Sequence, residues 1–410
     1  MSLRKDADYI IKESIEKVLP DVAVKRALSG KTFTSGKLYL VAVGKAAWQM
    51  ARAAFGVVGE QLETGIVITK YGHVMGDIPK VLCYEAGHPV PDQNTYDATE
   101  KVLQLVQNLK KQDTVLFLLS GGGSALFEKT EIPSLELEDI TKQLLACGAE
   151  ITEINTIRKR LSMVKGGKFA KLCEPAKIYS IVLSDIIGDP LDMIASGPAY
   201  PDSSTCRDAL AIVEKYQIGL SEDAYQMLRR ETPKQVNNVE TVVTGSVREL
   251  CRAAATACED LGYVPVILTD ELSCVASEAG AFLSAIARTK QHETKSLAFI
   301  AGGETLVHVT GTGLGGRNQE LALAAAVGLD GLMDTAIFSV GSDGTDGPTD
   351  AAGGYVDQDT KKLLDSLGID IAKVLRNNDA YHVLEKADGL IKTGPTGTNV
   401  NDVSVLLIRR

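Results

Sequence analysis

Histidine is scarce, cysteine is scattered, and long apolar runs are missing. Five histidines (His73, His88, His292, His308 and His382) form no HxxxH or HxH pair. The seven cysteines are Cys83, Cys147, Cys173, Cys206, Cys251, Cys258 and Cys274, an odd number without a CxxC. Neither a zinc site nor a disulfide framework is expected, and a reducing cytosol is the setting this usage suits. No apolar run reaches the roughly 18 residues of a membrane span. The opening "MSLRKDADYIIKESIEKVLP" reads as an amphipathic helix charged throughout, without the apolar stretch of a signal peptide. Net charge is -10, which argues against nucleic acid as the main partner. A small anionic substrate stays open, because a local Lys/Arg cluster can bind one inside an acidic protein.

What is present is an alternation of short apolar runs and helix-period segments over 410 residues, long enough for two domains. "KLYLVAVG", "TGIVITK", "KVLCYEAG", "DTVLFLLSGG" and "KIYSIVLSD" are rich in Val, Ile and Leu without polar alternation. That suits parallel strands covered on both faces. A second series runs "VETVVTGS", "YVPVILTD", "SLAFIAGG", "ETLVHVTG", "TAIFSVGSD", "GLIKTG" and "VSVLLIRR". "AGGETLVHV" leaves room only for a tight turn, which predicts a mixed second sheet with an antiparallel pair at 296–311. The fold class expected is α/β, with two α/β/α sandwiches, the first sheet mostly parallel and Rossmann-like. The domains are expected at 1–232 and 233–410, cut in "RRETPKQVNNVE".

Nearly every strand ends in small or acidic residues, and in open α/β sheets ligands sit beyond those ends. In "LFLLSGGGSALFE", Gly121, Gly122 and Gly123 lie between Ser120 and Ser124. Successive N–H groups of such a turn can cradle an anion. No G-K-[ST] follows it, so it is not a Walker A loop, and Leu126 stands where a nucleophile elbow needs glycine. Lys45 sits just inside a helix start, against the dipole preference, a cost that a bound anion would reverse. Arg158, Lys159, Arg160, Lys165 and Lys168 form a basic run whose bland reading is a solvated helix face. Asp185, Asp189 and Asp192, then Glu304, then Asp343, Asp346 and Asp350 offer oxygens for Mg²⁺. The EF-hand spacing is absent.

"GTGLGGRNQE" contains G-x-G-x-x-G at Gly311, Gly313 and Gly316. The run before it alternates apolar and polar residues, unlike a buried first Rossmann strand. Arg317 follows directly, and a guanidinium suits a phosphoryl group better than a bare pyrophosphate turn. The loop therefore reads as phosphate-handling.

Together, "VAVGKAAWQMA", "EAGHPVPD", "LLSGGGSAL", "INTIRKRLSMVKGG", "LSDIIGDPLDMIASGPAYPDSST", "GGETLVHVTGTGLGGRNQELAL", "GSDGTDGPTDAAGG" and "TGPTGTNVND" resemble the class II glycerate 2-kinases over nearly the whole chain. The resemblance implies a Rossmann-like N-terminal domain and a MOFRL-type C-terminal domain. It also implies Mg²⁺-assisted transfer from ATP to the 2-hydroxyl of D-glycerate in an interdomain cleft. Lys45 and Arg317 become the foremost catalytic candidates, with Asp185 and Glu304 beside them. Binding of phosphate or substrate falls to Ser120, Gly121–Gly123, Ser124, Asn155, Arg158, Gly313, Gly315, Gly316, Thr396 and Asn399. The metal falls to Asp189, Asp343 and Asp346. Which loop takes ATP and which takes glycerate is open, as is a homodimer. Some family members have been labelled hydroxypyruvate reductases, so an NAD(P)H-dependent reductase is the alternative, and a non-catalytic nucleotide sensor a third.

Overall fold

The apolar runs become strands of two sheets in a computed structural model that describes residues 2–33 and 35–410. One unit takes Ala23–Leu183 and Asp189–Thr244. The other takes the chain up to Val22, Ser184–Gly188 and Gly245–Arg410.

The first sheet holds β1 (Leu38–Val43), β2 (Leu62–Lys70), β3 (Val81–Ala86), β4 (Thr114–Leu119), β5 (Lys177–Leu183) and β6 (Val239–Gly245), in the order β3-β2-β1-β4-β5-β6. Pairings from β3 through β5 are parallel. Ile178 N donates to Asn238 O and Ser184 N to Gly245 O, both at 2.7 Å, so β6 runs the same way. Leu40, Ala42, Leu116 and Leu118 pack under the helices Pro20–Leu28 and Ala47–Val58. On the opposite face Phe117 meets Phe127 and Phe169. Burial on both faces is why these strands lack polar alternation. A separate helical cluster, centred on Leu144, Ile157 and Leu161, carries the basic helix Ile151–Leu161.

The second sheet holds β7 (Val264–Leu272), β8 (Leu297–Gly303), β9 (Thr335–Gly341), β10 (Gly353–Asp357), β11 (Leu390–Ile391) and β12 (Asp402–Ile408), ordered β11-β10-β9-β12-β8-β7. Only β7 and β8 pair in parallel; the other neighbours are antiparallel. Along β12, Val403, Val405 and Leu407 face one core, while Leu406 and Ile408 face the other. The N-terminal helix Leu3–Lys17 is amphipathic as expected, and it buries Ile10, Ile11 and Ile15 against the helix Val247–Asp260.

The sheets differ from expectation in three details. "VETVVTGS" is β6 of the first sheet, so a cut at 232/233 falls ahead of that sheet's last strand. Residues 304–311 form no strand beyond one bridge, Val275–Leu306. Their donors go elsewhere: Thr310 N and Gly311 N bond to Asn378 Oδ1, at 2.8 and 2.9 Å. The antiparallel character comes instead from β12, which enters between β8 and β9, and from β10, which the sequence reading passed over as glycine-rich loop.

Candidate active site

In the first sheet the strand order reverses between β1 and β4, the switch point where such folds bind ligands. The two loops leaving that point are bonded together. Lys45 N donates to Gly121 O at 2.9 Å, and Ala46 N donates to Ser120 Oγ at 3.1 Å. Lys45 O is held in turn by Thr69 Oγ1 at 3.2 Å and by His73 Nδ1 at 2.9 Å. Gly122 has φ +86°, and a Cβ there would lie 3.0 Å from the His88 ring and 3.2 Å from Lys45 Cε. Only glycine fits both the conformation and the space. The lysine stem and the imidazole therefore flank the turn. Burial lowers the His88 pKa, and the charges of Lys45, Lys70 and His73 lower it further. The turn thus sits where positive charge converges and the imidazole stays neutral.

Ser124 extends this site. Its hydroxyl meets Ser196 Oγ at 3.0 Å, and Ser196 Oγ donates to Asn155 Oδ1 at 3.0 Å. Arg158 Nη2 donates to Ser124 O at 3.1 Å, from the helix that also carries Asn155. Ala195 and Ser196 have φ +50° and +59°, costly for residues with side chains. The sequence reading missed Ser196; its only signal was its place in "IASGP". The rest of the basic run is no solvated face. Lys159, Arg160 and Lys165 are buried. Lys159 and Arg160 share Asp202, and Lys165 pairs with Glu128 at 2.6 Å. Those three are spent on structure, while Arg158, half-buried, donates to a carbonyl.

The second unit builds its site around Arg317, first residue of the helix Arg317–Leu329. Its Nε and Nη2 grip Asp402 at 2.5 and 3.0 Å, a fork-to-fork pair, and Nη1 lies 3.2 Å from Glu304. Three of its five N–H donors are thereby engaged. Asn401 Nδ2 donates to Glu304 Oε2 and to Asp185 O, at 3.3 and 3.2 Å. Asp402 and Asn401 were quoted in "TGPTGTNVND" but not singled out, because two polar residues at a strand start look like a turn. Asn399 Oδ1 accepts from Asn401 N at 3.3 Å, and Thr396 Oγ1 donates to Ser342 O at 2.6 Å. Both support the loop from within.

The glycines of 311–316 have a packing reason. A Cβ on Gly311 or Gly313 would collide with the backbone at Asn377, and one on Gly316 with Asp346. None of them needs positive φ. The helix start behind them is already occupied. Asp346 accepts from Asn318 N and Gln319 N, at 3.1 and 2.9 Å. A pyrophosphate in the dinucleotide manner would need those N–H groups.

This occupancy also bears on the metal. Both oxygens of Asp346 are committed to the helix, so it does not fit as a ligand. Asp343 Oδ1 accepts from Thr345 N at 2.9 Å. Asp189, in the other unit, has a buried Oδ1 without a hydrogen-bond partner, which suits a cation. Among the described residues no three His, Cys, Asp or Glu side chains cluster as a metal cage. Mg²⁺ that arrives with phosphates needs only one or two carboxylates.

Burial raises the Asp346 pKa to about 6, against the backbone bonds from Gln319 and Asn318 that lower it. A raised carboxyl pKa gives a stability contribution that is full below the unfolded value and is lost as pH rises through the folded one. Between pH 4 and 7 the stability of the wild type should therefore fall relative to Asp346→Asn, by about 1–3 kcal/mol. Urea unfolding at both pH values measures the difference, and a flat difference means that Asp346 titrates normally.

Two family models match the chain: a domain of unknown function, DUF4147, over residues 6–229 and the MOFRL family over 297–402. A D-glycerate 2-kinase of Thermotoga maritima is 52% identical, covering 99% of both chains. A glycerate 2-kinase of Pyrococcus horikoshii is 38% identical, covering 100% of this chain and 98% of its own. A crystal structure of glycerate kinase from Thermotoga maritima superposes with a TM-score of 0.95, at 51% identity and 99% coverage of each chain. With identity sustained over both units, this chain, whose DUF4147 part precedes its MOFRL part, belongs to the glycerate 2-kinase family.

Proposed function

We propose that this protein is an ATP-dependent D-glycerate 2-kinase that forms 2-phosphoglycerate. The observation that carries the reading is the Gly121–Gly123 turn at the sheet's switch point, flanked by the Lys45 stem and a neutral His88. Phosphoryl transfer is mostly positioning and charge neutralisation, and this turn supplies both. Lys45 neutralises charge developing on the transferred group. Arg158 pairs with the glycerate carboxylate, and Ser124, whose proton is held by Ser196 because Ser196 donates its own to Asn155, accepts a hydrogen bond from a substrate hydroxyl. Arg317, with two donors to spare, neutralises charge on the phosphates of the donor. Glu304 and Asp185 orient the acceptor hydroxyl. Asp343 or Asp189 would hold a Mg²⁺ brought by ATP, which would supply charge neutralisation. A cytosolic setting is the one its scattered, unbridged cysteines suit.

The capped helix behind Gly316 disfavours the reductase alternative, because no bare N–H cradle remains there for a dinucleotide. One pair of assays separates the readings. With ATP, Mg²⁺ and D-glycerate, ADP release should depend on glycerate, and phosphorus NMR should show the 2-phosphate. With hydroxypyruvate and NADH or NADPH, no oxidation is expected. Nicotinamide oxidation without ADP release would replace the kinase by the reductase, and ATP binding without turnover would leave only a sensor.

A further inference from the structure

The second unit contains a cavity of about 390 Å³ beside the glycine loop. That volume lies in the range of small-ligand sites. Its walls include Leu306, Val309, Pro348 and Leu375, with Glu304, Glu320 and Arg317 as charged members. Leu306 is 57% exposed and Val309 79%, so both stand in solvent beside it. Glu320 is 7% exposed.

The cavity is preformed. Asn378 Oδ1 accepts from Thr310 N and Gly311 N, while its Nδ2 donates to His308 O at 3.0 Å. Gly313 N donates to Asn377 O at 2.8 Å, Leu314 N to Asp379 Oδ1 at 3.0 Å and Tyr381 N to Leu314 O at 2.9 Å. The glycines that pack against Asn377–Ala380 make this stapling possible. Loop and cavity are one construction.

The chemistry of the walls selects an occupant. Glycerate carries a carboxylate and two hydroxyls on three carbons, and it offers no apolar face to Leu306, Val309, Pro348 and Leu375. A nucleobase is flat and apolar on its faces and polar at its edge. Glu320 accepts from Asn378 Nδ2 at 3.5 Å and from the hydroxyl and N–H of Ser277, three of the roughly four acceptor sites of a carboxylate, so one remains. It can take an N–H from the edge of a base. Arg317 lines the same cavity, so a nucleotide seated there directs its phosphates toward the guanidinium.

We propose that this cavity holds the nucleobase of the phosphoryl donor, its faces against Leu306, Val309 and Leu375 and an amino edge toward Glu320. This rests on the kinase reading and assigns the donor's base to the second unit. The glycerate carboxylate is thereby left to Arg158 of the first.

The test is steady-state kinetics with ATP and glycerate varied separately, together with equilibrium binding of a fluorescent mant-ADP to the full chain. Leu375→Trp fills the cavity. Val309→Asp puts a charge on a side chain too exposed to hold the fold together. In Leu375→Trp the KM for ATP should rise about tenfold or more, with mant-ADP affinity falling in parallel and the KM for glycerate within about twofold. Val309→Asp should shift the same two quantities by about threefold. If the KM for glycerate moves instead, the cavity assignment is overturned. It is also overturned if wild type is an active kinase but neither variant changes ATP KM or mant-ADP affinity. If Leu375→Trp raises both KM values and melts early, Val309→Asp alone decides. A wild type that neither binds mant-ADP nor phosphorylates glycerate overturns the kinase reading itself.

Discussion

Lys45→Met is expected to lower kcat by about 10²–10³-fold, roughly 3–4 kcal/mol, the scale of losing one preorganised electrostatic donor. Stability should change by no more than about 0.5 kcal/mol. The reason lies in how Lys45 is held. Its backbone N–H and carbonyl tie the β1 loop to Gly121, Thr69 and His73, and methionine keeps all three bonds. The stem of methionine fills the same groove beside Gly122. Only the ammonium is lost. The turn should therefore stand unchanged around a missing charge.

A second readout makes the result specific. The charge of Lys45 depresses the His88 pKa beyond what burial does. Removing it should move the His88 titration upward, toward ordinary histidine, in an NMR pH series. A variant with full activity and an unmoved His88 would mean that Lys45 points away from the turn. Lys45→Arg should rescue the histidine shift better than the rate. A planar guanidinium restores the charge but not the compact shape of an ammonium beside Gly122.

The first sheet was open to reading because its strands are buried on both faces. Val, Ile and Leu then dominate the central strands β1, β4 and β5, and most runs lead into glycine or aspartate within a residue or two. The same rule misassigned β6, since sequence order says nothing about which sheet a strand joins. It failed at residues 304–311, where alternation imitates a half-exposed strand. There the outward residues Leu306 and Val309 line a cavity instead. Strand β10 was missed for the opposite reason: Gly353 and Gly354 carry no side-chain pattern, and tight packing against Ser339 and Ala322 excludes larger residues. Among site residues, Lys45 and Arg317 stood out because each follows a strand or a glycine loop in isolation. Asp402 and Ser196 act through partners distant in sequence, Arg317 and Ser124. Such pairings are invisible until the chain is folded. Asp346 was read as a metal ligand because an acidic loop looks like one. Nothing in "DGTDGPTD" shows that its carboxylate turns back to cap a helix 28 residues earlier.

Arg317→Met should lower both activity and stability, and the two losses should separate on adding a second change. Asp402 is buried, and burial raises its pKa against the opposing bond and charge of Arg317. Removing the guanidinium leaves that carboxylate without its main partner and close to Glu304. Breaking a buried pair costs about 3–5 kcal/mol, and partial exposure of Arg317 puts the expected loss nearer 2–3 kcal/mol. The deficit should narrow as pH falls, because a protonated Asp402 no longer needs the pair. In Arg317→Met/Asp402→Asn the uncompensated charge is gone, so most of the lost stability should return. The rate should not return. If two free donors of Arg317 stabilise the transferred phosphoryl group, kcat stays about 10²–10³-fold down in both variants. Denaturant unfolding and single-turnover kinetics on the three proteins measure the two quantities apart. A double variant that recovers its rate along with its stability would reduce Arg317 to a structural partner of Asp402, and phosphoryl stabilisation would then rest on Lys45 alone.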